Sequence, residues 1–315
     1  MKVAVTGGSG YLGGRIVRAL AADGHAVRVL TRSSTDARRR DQPLSVEWFH
    51  GDMRSSRTLA ELLQGCQGLV HAGGLVRSPN PEEFQANVVA AQRIASAVEG
   101  SETSMAVFVS SAGVFGNCGV TVDETSPHRP DDAYERSKSR AELALMPVVA
   151  DGRARMMRPA VIMGGYNSLR PLLRLSRRIR SGGVLPVSRR AWTNYVHVDD
   201  VATTAVRLLT ETDAPDVINV NCPLQLVALI DLLADVLGDS ARTVLVPSVV
   251  AEVAARIPAT FVAQLPRASL ARSIVDATRI ETRYPGWLYQ GVPVETILRR
   301  RLTCVIDDYT RQELL

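Results

Sequence analysis

The chain has 315 residues, 46% of them hydrophobic and 22% charged, with 37 basic against 32 acidic side chains and a net charge of +5. That is enough chain for a large core, and it excludes a disordered tail, a disulfide-stapled miniprotein and a collagen-like repeat. The basic excess is mild and spread out. Its clusters at residues 38–40, 170–180 and 299–301 read as solvated faces, or else as sites for phosphates or carboxylates, and no nucleic-acid partner is expected.

Cys66, Cys118, Cys222 and Cys304 lie far apart and match no metal-ligand spacing, so idle thiols and no metal are expected. Strand-like sequence from Lys2 onward leaves no room for a targeting segment, and no apolar run reaches the ~18 residues of a membrane span. The nearest, residues 246–265, is interrupted by Glu252, Arg256, Gln264 and two prolines. A cytoplasmic protein is the expectation. Of the 37 basic residues only Lys2 and Lys138 are lysine, the rest arginine. Such usage reflects a GC-rich genome, and an internal lysine on that background points to a place where arginine cannot substitute. Lysine carries a compact, tunable ammonium, arginine a wide planar fork of fixed charge.

In chain order, strands are predicted at residues 2–5, 26–30, 46–50, 69–71 and 105–109. Helices are predicted between them at 12–22, 56–64 and 82–98. A helix from Tyr134 to about Val149 and a strand at 154–157 continue the alternation. Short β-branched strands alternating with amphipathic helices predict βαβ units and an α/β, doubly wound parallel sheet covered on both faces. After Pro159 the regularity falls away into a Gly- and Pro-punctuated, arginine-rich helix. Residues 195–209 return to strand then helix, with Asp199 as the expected N-cap and His197 as a packed histidine. A strand follows at 217–220, then a mainly helical remainder. The expected division is a dinucleotide-binding Rossmann domain (1–164 and 192–222) and a smaller, discontinuous, mostly helical substrate lobe (165–191 and 223–315).

The first strand runs into Thr6-Gly7-Gly8-Ser9-Gly10-Tyr11-Leu12-Gly13. Glycines at 7, 10 and 13, and also at 8, 10 and 13, meet the spacing that lets backbone approach a pyrophosphate at a helix N-terminus. A ligand-free glycine turn is the alternative. The second strand ends on Thr31 where a ribose-binding acid is expected, and Arg32 follows. A carboxylate would repel a 2′-phosphate and an arginine can pair with it, so NADP(H) is favoured over NAD(H). Stacking on adenine or plain exposure is the other reading of Arg32. Asp52, beside Met53, is a candidate acceptor for the adenine amino group, with a loop cap as the alternative.

Tyr134-Glu135-Arg136-Ser137-Lys138 puts a phenol and the rare lysine four residues apart on one helix face. A phenol with a pKa near ~10 exchanges protons poorly at neutral pH, and a nearby ammonium lowers it. A surface pair is the alternative.

With these motifs in place the chain resembles an extended short-chain dehydrogenase/reductase, the superfamily also called the NAD-dependent epimerase/dehydratase family. The resemblance spans residues 1–220. It rests on the glycine loop, Gly51-Asp52, Val70-His71-Ala72-Gly73-Gly74, Asn87, residues 109–116, Tyr134 to Lys138, residues 158–164 and residues 195–202. It implies that Ser111 hydrogen-bonds the substrate oxygen, that Tyr134 donates or accepts the proton, and that Lys138 holds the nicotinamide ribose while tuning Tyr134. Asn87 matches an asparagine of the active-site helix. The resemblance further implies that His71, Ala72 and Gly73 run beside the cofactor, with Pro159 and Val161 beside its nicotinamide. A homodimer through two helices of the nucleotide domain is a further implication.

Family 4,6-dehydratases place Asp-Glu directly after the catalytic hydroxyl, where this chain has Ala112 and Gly113. Sugar-nucleotide epimerases usually carry asparagine where Val161 stands. The segment Pro159-Ala160-Val161-Ile162-Met163-Gly164 is more similar to that of dihydroflavonol reductases and 3β-hydroxysteroid dehydrogenases. The expected function is therefore an NADP(H)-dependent ketone reductase or alcohol dehydrogenase acting on a small-molecule carbonyl or alcohol. The apolar stretch at 246–262 is a candidate cover for a hydrophobic substrate, or a core helix. The alternatives are a nucleotide-sugar epimerase with bound NAD, in which Cys118 would be a candidate for proton transfer, and a non-catalytic cofactor sensor.

Overall fold

The computed structural model describes residues 1–33, 46–164, 170–247 and 278–315. The alternating pattern of the first half folds as β1 (Lys2–Thr6), α1 (Tyr11–Ala22), β2 (Ala26–Thr31), β3 (Val46–His50), α2 (Ser56–Leu63), β4 (Gly68–His71), α3 (Gln85–Glu99) and β5 (Met105–Val109). A single 3-10 turn, Pro81–Phe84, leads into α3, and another, Ala112–Phe115, follows β5. Then come β6 (Thr121–Val122), α4 (Ala133–Ala150), β7 (Ala154–Pro159) and β8 (Val161–Met163).

Seven strands form one parallel sheet in the order β11-β7-β5-β4-β1-β2-β3, where β11 is Val217–Val220. β1 lies between β2 and β4, with Val5 opposite Val29 on one side and Val70 on the other. Chain order therefore reverses between β1 and β4, and a crevice opens beyond their carboxyl ends, where an open α/β sheet takes its ligand.

Both faces of the sheet are covered. Gly13, Ile16, Val17 and Leu20 of α1 recur at helical spacing and pack on one face with α6 (Val198–Thr210). On the other face Leu59, Leu62 and Leu63 of α2 join Ile94 and Val98 of α3 and Leu145 and Val148 of α4. Fully buried side chains such as Ile16, Leu20 and Ile94 each contribute about 1.5–3 kcal/mol through burial.

The second half is built from α5 (Arg170–Arg180), β9 (Val184–Val187), β10 (Trp192–His197), α6, β11, β12 (Cys222–Gln225), α7 (Leu226–Leu237), β13 (Arg242–Leu245), β14 (Arg279–Ile280), α8 (Pro285–Tyr289) and α9 (Val294–Arg311). A separate apolar cluster joins α5, α7 and α9 through Leu172, Ile179, Leu229, Leu233, Leu302 and Val305.

The strand at 192–197 belongs to a separate three-stranded sheet, parallel to β8 and antiparallel to β12. After residue 222 the described residues are mainly helical, in α7, α8 and α9, with the short strands β12, β13 and β14 among them. These strands have two to four residues, too short for a period-2 pattern to show, and they exist only through partners distant in sequence. The basic cluster at 38–40 lies outside the described residues, as does nearly all of the apolar stretch at 246–265. Among the described residues no helix is long and apolar enough to cross a membrane, and no His, Cys, Asp or Glu group is arranged to hold a metal.

Candidate active site

β1 delivers the glycine loop to the crevice. Gly7 has φ 74°, and a Cβ there would lie 2.5 Å from the backbone nitrogen of Gly73, while one on Gly13 would lie 2.0 Å from the Gly7 carbonyl oxygen. Only hydrogen fits at either place, so the loop closes on itself, with the Gly10 N–H donating to Gly7 O at 2.8 Å. Helix α1 starts at once, its N-cap Gly10 supplies no side-chain cap, and its first turn carries no acid. That cradle and those uncapped donors fit a pyrophosphate. The Tyr11 hydroxyl donates to the Gly164 carbonyl, and burial pushes its phenol pKa up. Leu12 packs against the sheet core.

The end of β4 forms the opposite wall. His71 is buried with Nδ1 2.6 Å from Thr6 Oγ1, and burial, reinforced by the Lys138 charge, lowers its pKa to about 3. The imidazole is therefore neutral. The Ala72 N–H donates to Thr6 O at 3.1 Å, and a Cβ on Gly73 would meet the Met53 methyl at 3.2 Å. Asp52 is used locally: its carboxylate accepts from Arg54 N (2.9 Å), Nε (2.9 Å) and Nη2 (2.6 Å), and these bonds lower its pKa. At the end of β2, Thr31 is buried and turned onto Ser33, leaving Arg32 exposed as the next side chain.

Ser111 leaves the end of β5 and caps the following 3-10 turn, its hydroxyl accepting from Gly113 N at 3.1 Å. Helix α4 begins with a capping box between Asp132 and Glu135, which sets Tyr134 in its first turn. The Ser111 hydroxyl lies close enough to the Tyr134 phenol to act on its pKa, and Phe84 meets the phenol ring edge-on at 5.9 Å. Lys138, one turn on, donates from Nζ to Val109 O at 2.7 Å. It is partly exposed, yet surrounding protein lowers its pKa to about 8.

Burial raises the Tyr134 pKa, the Ser111 hydroxyl lowers it, and Asp132 and Glu135 add smaller upward contributions. Asn87 is occupied as a clamp. Its Oδ1 accepts from Leu75 N at 2.7 Å, and its Nδ2 donates to Leu75 O at 2.9 Å and Ser137 Oγ at 3.0 Å. It holds the loop after β4 onto α4.

Pro159 closes β7, the Ala160 N–H is held by Val220 O at 3.0 Å, and Val161 leaves 49% of its surface open at the same sheet edge. An open cleft of about 530 Å³ borders Tyr134, lined by Val76, Arg77, Pro79, Phe84 and Ala133 among others. His197, not Asp199, is the N-cap of α6, accepting from Asp199 N at 3.3 Å. Cys118 lies half-buried beside Thr278, which accepts its backbone N–H at 2.9 Å.

Sequence reasoning missed a buried cluster behind Ser111: Ser110, Glu142, Arg158 and His128. Its signal was present in the spacing, because Tyr134, Lys138 and Glu142 follow one another at intervals of four on one face of α4.

A model of the NAD dependent epimerase/dehydratase family matches residues 3–221. A 4-hydroxy-2-methyl-3-oxo-4-farnesyl-3,4-dihydroquinoline-1-oxide ketoreductase of Stigmatella aurantiaca is 34% identical over 171 residues, covering 52% of this chain and 51% of its own. A UDP-glucose 4-epimerase of Corynebacterium glutamicum is 31% identical over 154 residues, 46% of each chain. The chain spans about half the length of the curated relatives it matches. Among solved structures, the Bordetella bronchiseptica enzyme WbmG in complex with NAD superposes with a TM-score of 0.71 at 17% identity, covering 100% of this chain and 95% of that one.

Proposed function

The chain belongs to the NAD-dependent epimerase/dehydratase family, and we propose that within it the protein is an NADP(H)-dependent ketone reductase or alcohol dehydrogenase. The observation that carries this reading is the placing together of Ser111 at the end of β5 and Tyr134 in the first turn of α4, one helical turn from Lys138, at the crevice where chain order reverses. When bound, the nicotinamide nucleotide supplies or takes a hydride. Everything else falls to the protein's own groups. Tyr134 Oη holds the proton that a carbonyl oxygen gains on reduction and recovers it on oxidation. Ser111 orients and polarises that oxygen, and Lys138 presents a cation to the ribose and to the phenolate. His71, neutral and fixed to Thr6, Ala72 and Gly73 form the wall along which the nucleotide lies, with Pro159 and Val161 at its nicotinamide end.

The uncapped start of α1 and the backbone of Gly7, Gly10, Tyr11, Leu12 and Gly13 take the pyrophosphate. Preference for the phosphorylated nucleotide follows from Thr31 and Arg32, since no acid stands at the end of β2 and an exposed guanidinium does. The mainly apolar cleft beside Tyr134 supports a substrate with an apolar body. A homodimer would use the outer face of α4, where Leu143 is 69% and Met146 37% exposed.

The epimerase reading is kept because of the Corynebacterium glutamicum relative. Nicotinamide fluorescence titrations with NADPH and NADH separate the two. A tenfold preference for NADPH, ~1.4 kcal/mol, with turnover on apolar ketones supports the reductase. Retained NAD that does not exchange, with turnover only on nucleotide sugars, overturns it.

A further inference from the structure

We propose that Glu142 is a positioning residue of this site: through Ser110 it fixes the strand end that presents Ser111, and its carboxylate is the counter-charge that keeps Lys138 an ammonium. The inference rests on the Ser111–Tyr134–Lys138 reading.

Glu142 lies one turn beyond Lys138 on α4 and is 2% exposed. A buried carboxylate needs its charge and lone pairs answered. Its Oε1 accepts from the Ser110 hydroxyl and from Arg158 Nε at 3.0 Å, and its Oε2 accepts from Arg158 Nη2 at 2.7 Å. Arg158 also donates to Glu124 O at 3.1 Å and to His128 Nε2 at 3.1 Å. A guanidinium can only donate, so His128 Nε2 carries no proton. The imidazole is the neutral Nδ1–H tautomer, donating to Ser139 Oγ at 3.0 Å. Burial pushes its pKa down in agreement. The 3.4 Å approach of His128 to Glu142 is therefore not an ion pair, and the histidine brings the carboxylate no charge.

The consequence is local. Helix α4 is fastened to the end of β5 at two successive residues, Lys138 to the Val109 carbonyl and Glu142 to the Ser110 hydroxyl, and Ser111 comes next. Ser110 is held from the other side as well, its N–H donating to Met157 O at 2.8 Å. Lys138 donates to the Val109 carbonyl of β5 and its charge acts on the neutral His71 of β4, with Glu142 one turn on in its own helix and Arg158 of β7 paired to Glu142. The one negative charge among these groups is Glu142. Burial pulls the lysine down to about 8 and Glu142 opposes it, so without Glu142 the ammonium would be partly lost in the working range. A role in packing alone would leave the titration of Lys138 unmoved.

The chain contains only two lysines, so lysine labelled with carbon-13 at Cε gives two signals, and Lys2→Arg assigns them. In the wild-type protein the Lys138 signal is expected to titrate near pH 8. In Glu142→Gln its midpoint is expected about one pH unit lower, the alkaline limb of turnover moves with it, and Glu142→Asp restores both. A folded Glu142→Gln protein whose Lys138 midpoint is unchanged overturns the proposal. If the unpaired Arg158 prevents folding, the doubly neutral Glu142→Gln/Arg158→Met variant is compared with Arg158→Met alone, against which the same downward shift is expected and an unchanged midpoint overturns the proposal. The titration is read without turnover. Full activity of Tyr134→Phe would remove the reading of the site while the Lys138 result stood on its own.

Discussion

The Tyr11 hydroxyl donates a hydrogen bond to the carbonyl of Gly164, 153 positions along the chain. Gly164 in turn, at φ 101°, lies so close to His197 that a Cβ would come 2.2 Å from the ring Nε2. The first residue of α1 is thereby joined to the end of β8 and to the cap of α6. Replacing Tyr11 with Phe removes one such bond and is expected to cost about 1 kcal/mol. Gly164→Ala combines a left-handed φ with a clash against a buried ring and should cost about 2–4 kcal/mol. Urea denaturation ranks the two, and equal losses would show that the Gly164–His197 contact carries no strain.

Tyr134→Phe keeps the ring against Phe84 and loses only the hydroxyl. Turnover is expected to fall about 10²–10⁴-fold while NADPH affinity changes less than about threefold. Steady-state kinetics beside a fluorescence titration measure both, and undiminished turnover rules out Tyr134 as the proton carrier.

Arg32→Ala tests the choice of nucleotide. The loss of a charge-assisted pair with the 2′-phosphate should weaken NADPH about tenfold and leave NADH within about twofold. Equal weakening of both would assign Arg32 to the adenine or to the fold.

His71 makes the protein acid-sensitive. Its folded pKa of about 3 lies below the ordinary 6.5. Above pH 6.5 the imidazole is neutral in both folded and unfolded chains and contributes no pH dependence. Between 6.5 and 3 the unfolded chain binds a proton that the folded one refuses, so stability falls as pH falls, by about 3 kcal/mol at pH 4. His71→Asn should flatten that part of the stability profile relative to the wild-type protein, and parallel profiles would mean the ring is protonated in place.

The glycine loop, the strand ends and the Tyr134–Lys138 pair could all be placed before any coordinates, because each depends on spacing within one turn or one strand–helix junction. Arg32 followed from the same local logic. The clamp of Asn87 on Leu75 was not legible, since an asparagine on a buried helix face reads alike whether it meets a substrate or a loop. Nor was the exchange of caps between Asp199 and His197, as either side chain can accept from the start of α6. Spacing put Lys138 near Tyr134, but the bond from its ammonium to the carbonyl of Val109 exists only once α4 lies against β5.

Spacing along the chain was enough for the sheet, its covering helices and the order of the motifs, because hydrophobic periodicity and glycine sterics act between residues a few positions apart. The folded chain alone decided how the charges are answered. Ser110, Glu142 and Arg158 are 16 to 48 positions apart, and Glu142 becomes one of the most buried carboxylates of the site only when α4 lies across β5 and β7. Burial sets the cost of each charge and the distance between partners sets its repayment, and neither quantity exists until the strands are paired.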